Sequence, residues 1–523
     1  MGSFSLLLLC LCFVISHSIG HPVNGLAETR KNILFVMCDS MDGRLIGKGS
    51  SGVVRLPTLE KMASNGIVFH NMYTNNPICC PSRSALWSGL HTHITKSWNN
   101  HKGLDKGYPT WAVKLANAGY ETELIGKQDY TSGSHSVSNR VEAWTRAVNF
   151  TLRQEGRPTT VLVNNSSQIK VSGDWNLVDR ATSWLKNNAT HIKDKPFLLY
   201  VGLNLPHPYG TNEGENSGAS TFRTSPYWLR SVDSNRVNIP TWIDLDKFHP
   251  VDYYESAVKN CTSSFTKDEI FKVRQYYFAM CAETDAMLGE IVDALNAIGH
   301  GNDTYVFFSS DHGEMAMEHR QFYKMSMYEA SSHVPLVATG PGVPTMQVEN
   351  VTSLVDMFPT FMDIAGIDHP PGLNGSSLMP FLMPGFYRAD DRPDYVLSQY
   401  HGCNMNMSGF MLRTGNYKYV AYGDGPKQVR PHLFDLSTDP DELTDLSLKN
   451  PDLVSQMDSK LRSLVDYPSV SHEVDQYNRD SFRVWRENLA KEYDHTIANL
   501  RWWMDWQKDP KGNQQKIDDW LNS

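Results

Sequence analysis

Cysteine is scarce in this sequence, with 8 residues among 523. A chain so poor in cysteine is not held together by a disulfide framework. Cys10 and Cys12 lie in an N-terminal leader. Of the other six, Cys261 with Cys281 is one pairing that spacing leaves open. Long apolar runs are missing too. Leu6 to Ile15 covers about ten residues, half of the ~20 that a membrane helix needs, and no later run is longer. That excludes a transmembrane anchor and predicts a secretory signal over residues 1–20, with the small residues Ser18 and Gly20 near its end. The Lys or Arg that usually opens such a signal is absent. Excess positive charge is lacking: the formal net charge is −9. This excludes a general nucleic-acid binder, but not a polyanionic substrate gripped by a local basic pocket. Internal repeats and low-complexity tracts are absent, which excludes solenoids.

What remains is ordinary globular composition, 40% hydrophobic and 20% charged, with ample core for two to four domains. The 19 histidines titrate near pH ~6.5, so an acidic compartment would shift the surface charge strongly upward. An acidic optimum is expected. Asn149, Asn164, Asn165, Asn188, Asn260, Asn302, Asn350, Asn374 and Asn406 each begin an Asn-X-Ser/Thr triplet. With the leader, they predict a lumenal or secreted glycoprotein.

Four apolar runs read as buried strands, and each leads into polar residues of a catalytic type. Asn32–Cys38 leads into Asp39, Ser40 and Asp42; Thr122–Ile125 into Gly126 and Lys127; Phe197–Leu203 into His207; Thr304–Ser310 into Asp311 and His312. Helical patterns such as Thr110–Ala118 and Thr284–Ala297 lie between them. The alternation predicts an α/β fold, a large and mostly parallel sheet flanked by helices. Ligands bind beyond the carboxyl ends of strands in such sheets, so the four strand ends should share one cleft. The expected catalytic domain is 21–380. Residues 381–523 read as a smaller unit: short antiparallel strands at Tyr395–Tyr400, Gly409–Arg413, Tyr417–Tyr422 and His432–Leu436, a helix at Leu453–Val465, and C-terminal helices. Trp502, Trp503 and Trp506 are expected to pack that tail onto the main domain.

The stretch Pro77 to Gly89, PICCPSRSALWSG, sets Cys79 beside Cys80. A bridge between neighbours is strained, because adjacent Cα atoms sit ~3.8 Å apart, below the usual ~4.4–6.8 Å. Pro81 suits the first position of a helix and Gly89 its end. The pair then lies where free N–H groups and the helix dipole favour an anion.

Cys79-Cys80-Pro81-Ser82-Arg83, continuing to Ser88-Gly89, resembles the C-X-P-S-R signature of the type I sulfatase family. Gly119-Tyr120 with Gly126-Lys127 resembles its second signature, and Asp311-His312-Gly313 with Lys324 and Glu329 its third region. Asp356 to Gly366 (DMFPTFMDIAG) and Leu433 to Glu442 (LFDLSTDPDE) match later landmarks, so the likeness covers nearly the whole chain. LNLPHPY, EHRQFYKMSMYEAS and NLRW are similar to a branch acting on uronic-acid 2-sulfates.

The resemblance implies a sulfatase-like, alkaline-phosphatase-like fold. It also implies hydrolysis of sulfate esters, here the 2-O-sulfate of a terminal glucuronate in a sulfated glycosaminoglycan, in the lysosome or after secretion. It implies that a formylglycine-generating enzyme converts Cys79 to formylglycine. The chemistry fits: a hydrated aldehyde carries two hydroxyls, one to attack sulfur and one to expel sulfate, a release step that a thiol lacks. Arg83 would hold the formylglycine hydroxyl, Lys127 and Lys324 would bind sulfate oxygens, and His207 would protonate the leaving alcohol. Ca²⁺ would sit on Asp39, Asp311 and Cys79, with Ser40, Asp42 or His312 completing the set. His312 stands where many members have Asn, and nitrogen is a poor ligand for a hard ion. Asp129 occupies the place of an acid/base histidine. The base could be Asp129, His135 or His249, and His249 is also a candidate substrate contact. His333 replaces a family arginine at the cleft edge. The alternatives are a general arylsulfatase, an iduronate-2-sulfatase-like enzyme, a phosphoesterase of the alkaline-phosphatase superfamily, and a noncatalytic glycan binder.

Overall fold

The structure is a computed structural model, and it describes residues 30–47, 50–133, 136–148, 155–213, 216–386 and 392–523. The leader 1–20, His135 and the Asn149 sequon lie outside the described residues. The strands in chain order are β1 Asn32–Asp39, β2 Ile67–Tyr73, β3 Glu121–Gly126, β4 Thr159–Leu162, β5 Phe197–Pro206, β6 Tyr209–Glu213, β7 Asn216–Thr224, β8 Thr304–Ser310, β9 Leu336–Thr339, β10 Met346–Ser353, β11 Tyr395–Tyr400, β12 Gly409–Thr414, β13 Tyr417–Tyr422 and β14 His432–Asp435.

Seven strands make the central sheet in the order β10-β2-β9-β8-β1-β5-β3. Only β9 runs against the others. The three middle strands of the parallel part are buried on both faces, which is why they read as unbroken apolar runs rather than alternations. Phe35 pairs in register with Tyr200 on one side and Phe307 on the other. One face packs on the helix Lys267–Ala297 through Val36, Leu199, Met280 and Ile291. The pattern at Thr284–Ala297 is only the second half of that helix. The other face packs Phe35 and Phe307 against Trp87, Trp111 and Phe361, with Trp87 and Trp111 stacked at 4.3 Å.

Strands β4, β7 and β6 form a second, small sheet, and β11 to β14 form a four-stranded antiparallel sheet. The latter is keyed to the main body by Asn75, whose amide donates to the Leu397 carbonyl at 2.8 Å. Lys418, fully buried, pairs with Glu329 at 2.6 Å and Glu442 at 2.8 Å. The tail closes onto the helix Val137–Trp144. Trp502, Trp506 and Trp520 are buried there with Trp144 and Trp485, the packing role expected for the tail.

Two local readings need correction. The helix at the twin cysteines runs Cys79–Ser88, with extended Ile78 as its N-cap. It thus starts two residues before Pro81. Proline is tolerated there because first-turn N–H groups have no partner in the helix. Gly89 ends the helix at φ 69°, a left-handed conformation suited to glycine. Cys261 and Cys281 do not pair; all six described cysteines are free and buried. The Cys261 thiol donates instead to the Lys259 carbonyl at 3.4 Å. Among the described sequons, Asn164, Asn165, Asn188, Asn302, Asn350 and Asn374 are exposed, and Asn260 and Asn406 are half-buried.

Candidate active site

The carboxyl ends of β1, β3, β5 and β8 bring Asp39, Lys127, His207, and Asp311 with His312 to one end of the sheet. The Cys79–Ser88 helix points its first residue at them. A cavity of about 400 Å³ opens there, lined by Asp39, Cys79, Lys127, His207, Lys324 and Arg501 among others. Backbone geometry makes the turn at Lys127 possible. Gly126 has φ 80°, and a Cβ on it would fall 2.2 Å from the Gly202 carbonyl oxygen of β5. Only glycine fits so close an approach.

Cys79 and Cys80 face different surroundings. The Cys79 sulfur lies 3.3 Å from His312 Nε2 and 3.6 Å from Asp39 Oδ2. Burial, reinforced by the Asp39 charge, pushes its thiol up to about 12. Cys80 is turned toward the Thr131 carbonyl, 3.9 Å away, and does not line the cavity.

Arg83 is fully buried beneath this pair. Its Nε donates to Asp311 Oδ2 at 2.7 Å, and Nη1 donates to the Lys127 carbonyl at 2.8 Å and the Tyr200 hydroxyl at 3.0 Å. Nη2 donates to the Cys38 carbonyl at 3.3 Å. The guanidinium thus ties together the ends of β1, β3, β5 and β8.

Asp39, Cys79, Asp311 and His312 offer ligand atoms that all lie within 4.8 Å of one another. His312 Nε2 is 3.4 Å from Asp39 Oδ1 and 3.5 Å from Asp311 Oδ1. Its Nδ1 donates to the Gly313 carbonyl at 3.0 Å, so Nε2 turns a lone pair on the two carboxylates. Burial pushes the ring down to about 4, which keeps it neutral. Lone pairs converging in a buried site fit a divalent cation. Ser40, at φ 75°, donates to Asp39 Oδ1 at 2.9 Å and orients it. Asp42 belongs to another cluster, paired with Arg44 at 2.6 Å.

Lys127 donates to Asp39 Oδ2 and lies 3.7 Å from Asp129. Burial would raise the Asp39 carboxyl; Lys127, His207 and Lys324 instead hold it well below the usual range. His207 Nδ1 donates to the Pro208 carbonyl at 2.7 Å, which leaves Nε2 free of that bond. Burial, with the Lys324 cation, pushes this imidazole down to about 3.

Asp129 does not line the cavity; its carboxylate lies 3.7 Å from the Lys127 ammonium. His249 lies elsewhere. It caps the helix Pro250–Val258 through Nδ1, and its Nε2 donates to the Arg430 carbonyl at 2.6 Å. Its ring packs 4.1 Å from that of His432, beside a different cavity. Pro250 after it takes the first position of that helix, where proline is favoured. His333 Nδ1 lies 3.3 Å from the Glu329 carboxylate, and His333 does not line the cavity.

The family model Sulfatase matches residues 31–367. The chain belongs to the sulfatase family. A second model, N-sulphoglucosamine sulphohydrolase, C-terminal, matches residues 317–466 of this sulfatase. Arylsulfatase K of Bos taurus is 51% identical over 535 residues, 99% of each chain. Arylsulfatase K of Homo sapiens is 51% identical over 531 residues, again 99% of each. That of Gallus gallus is 53% identical over 505 residues, 95% of this chain and 94% of the relative. Among solved structures, a phosphonate monoester hydrolase of Agrobacterium radiobacter aligns at TM-score 0.65 and 22% identity, over 83% of this chain and 95% of the other. A 2-O GAG sulfatase aligns at TM-score 0.61 and 24% identity, over 87% and 94%. These two share the fold. The family model and the arylsulfatase K relatives make this sulfatase a sulfuric ester hydrolase. Among the described residues no helix is long and apolar enough to cross a membrane.

Arg501 is the cavity residue that sequence reasoning missed. It sits in NLRW, a stretch noted for resemblance alone, and nothing in a tryptophan-rich tail signals a return to the site. Glu155, Asn99, Asn100 and Asn139 also line the cavity, and no spacing marked them.

Proposed function

We propose that this sulfatase removes the 2-O-sulfate from glucuronate at the end of a sulfated glycosaminoglycan chain, using formylglycine made from Cys79 and a Ca²⁺ ion. The observation that carries the reading is Cys79 at a helix N-terminus, inside the cavity shared by Lys127, Lys324 and His207. A thiol held near 12 is a poor nucleophile at any physiological pH, which supports its replacement. As its hydrate, formylglycine supplies one hydroxyl for attack and one for release of sulfate. The Ca²⁺ supplies positive charge at the sulfate, held by Asp39, Asp311 and His312 with Ser40 orienting the first.

Lys127 and Lys324 bind the sulfate oxygens as point charges. His207 carries the proton for the leaving alcohol on Nε2. A bound sulfate neutralises the Lys324 and Lys127 charges that depress this ring, and so raises its affinity for that proton. Asp129 holds Lys127 in place. All ten residues of the Cys79–Ser88 helix are buried, so a formylglycine-generating enzyme acts before the fold closes.

The stretches LNLPHPY, EHRQFYKMSMYEAS and NLRW, similar to a branch acting on uronic-acid 2-sulfates, support the uronate assignment. A cavity near the lower end of the ~300–1,000 Å³ range of small-molecule sites favours a sugar at a chain end over the flank of a polysaccharide. The sequons and leader support action in the lysosome or after secretion. Mass spectrometry of the peptide containing Cys79 tests the mechanism: Cys79 should have lost its sulfur while Cys80 remains alkylatable. Fully active protein with an intact Cys79 thiol would sink it. Glucuronate- and iduronate-2-sulfated disaccharides, assayed side by side, test the substrate, with turnover of the first expected to dominate.

A further inference from the structure

We propose that Arg501 is the specificity residue of this cavity, binding a carboxylate carried by the sugar whose sulfate is removed. The inference rests on the uronate reading above and names the group that would enforce it. Among the described residues, three permanent cations line the cavity. Lys127 and Lys324 stand at the Cys79 end, and Arg501 is the third. It comes from a different part of the chain, the turn between the helices Tyr493–Ala498 and Trp503–Trp506.

The turn is held rigidly. Leu500 and Trp502 on either side are buried, the Trp502 indole donates to the Ile497 carbonyl at 3.0 Å, and the Arg501 amide donates to Ser138 Oγ at 3.2 Å. The guanidinium is aimed by two acids. Nε donates to Glu142 Oε1 at 3.0 Å, and Nη2 donates to Glu142 Oε2 and lies 3.3 Å from Glu155 Oε1. Those contacts use one edge of the fork. No described residue accepts from Nη1, and the side chain keeps 17% of its exposure.

Neutralising Glu142 occupies Nε and Nη2 and leaves Nη1 over. The two acids do not cancel the Arg501 charge. Burial pushes Glu142 up to about 7 despite Arg501, and it raises Glu155 as well. Lys324 and Lys259 also act on Glu155, the Tyr323 hydroxyl bonds to it, and the neutral Cys403 thiol and the Tyr254 hydroxyl are further titratable neighbours of Glu142. As pH falls, the two acids therefore offset the Arg501 charge less completely. A planar guanidinium with free N–H groups suits a carboxylate better than it suits a hydroxyl. A sugar bearing both a sulfate ester and a carboxylate matches a cavity lined by two lysines beside Cys79 and by a separate arginine.

The test compares glucuronate 2-sulfate with its carboxyl-reduced counterpart, which keeps the sulfate and loses the charge. The ratio of kcat/KM for the two substrates is internally corrected for folding and for formylglycine content. Wild type should prefer the carboxylate by about 10- to 100-fold, the worth of one charge-assisted hydrogen bond. Arg501→Gln should bring the ratio to within about threefold of unity, chiefly through KM, and Arg501→Lys should restore part of it. Calorimetry on Cys79→Ala protein should show the same preference in binding, and Cys79→Ala with Arg501→Gln should lose it. An unchanged ratio in Arg501→Gln, with both substrates falling together, would overturn the proposal. So would a wild type indifferent to the carboxylate. Wild type that hydrolyses aryl sulfates but neither sugar would instead overturn the uronate reading, before Arg501 is changed.

Discussion

His312 faces Asp39 across 3.4 Å with an unprotonated nitrogen, because its other nitrogen is committed to the Gly313 carbonyl. Two lone-pair donors this close repel unless a cation lies between them, and Asp311 adds a third. The purified enzyme should therefore contain about one divalent ion per chain by elemental analysis. Chelation should lower its unfolding temperature, and Ca²⁺ should restore it, by about 2.7 kcal/mol at a hundredfold excess over Kd. Asp311→Asn should abolish the response. Protein that holds no ion and ignores chelators would refute the assignment.

Arg83 and Asp311 form an ion pair with both side chains fully buried, at 2.7 Å. Breaking such a pair strands a charge and costs about 3–5 kcal/mol. Arg83→Ala should lose stability on that scale in denaturant unfolding, and Arg83→Lys should recover little. Lysine has no fork to reach Asp311, Tyr200 and the carbonyls of Cys38 and Lys127 together. A loss below about 1 kcal/mol for Arg83→Ala would mean that the strand ends hold without it.

The four strand ends were legible because a parallel sheet buries its middle strands on both faces, so their apolar runs stop where the polar site begins. The same logic failed for His249 and Arg501. His249 follows a short irregular stretch and precedes a proline, which marks a helix start and says nothing about a cleft. Arg501 returns to the cavity through tertiary packing of tryptophans, and packing between distant segments leaves no local period. Asp129 was placed by register with a family histidine. Register fixes its backbone but not its surroundings: at φ 42° its carboxylate lies 3.7 Å from Lys127 and outside the cavity lining.

Lys127 sits between Asp39 and Asp129, and only the first of these lines the cavity. Lys127→Ala should lower kcat/KM by about 10²-fold or more through lost sulfate binding and transition-state charge. Asp129→Asn, which keeps the shape, should cost about tenfold or less and leave the pH profile of kcat in place. A general base contributes about 10²–10⁴-fold. A loss of that size, with the acid limb of the profile erased, would make Asp129 the base that drives sulfate release.

Asp252 and His432 join the catalytic body to the C-terminal sheet, at 3.2 Å. Burial works against both charges. Asp252 nonetheless raises the His432 imidazole above its ordinary value, and His432 holds the Asp252 carboxyl down to about 2. The His432 contribution is complete below its unfolded pKa of ~6.5 and fades as pH rises through its raised folded value. The Asp252 contribution is complete above ~3.9 and fades as pH falls toward about 2. The pair therefore stabilises the enzyme most between about pH 4 and 6.5. Neighbouring His249, pushed down to about 4 by burial and by His432, works the other way below ~6.5. His432→Gln should remove the first effect while keeping a hydrogen bond. Its loss of stability in denaturant unfolding should reach about 3 kcal/mol near pH 5, where Asp252 is left charged and buried. The loss should shrink at alkaline pH, above the raised value of the wild-type imidazole, where that ring is neutral as well. Equal losses at the two pH values would show that the pair is held by packing rather than by charge.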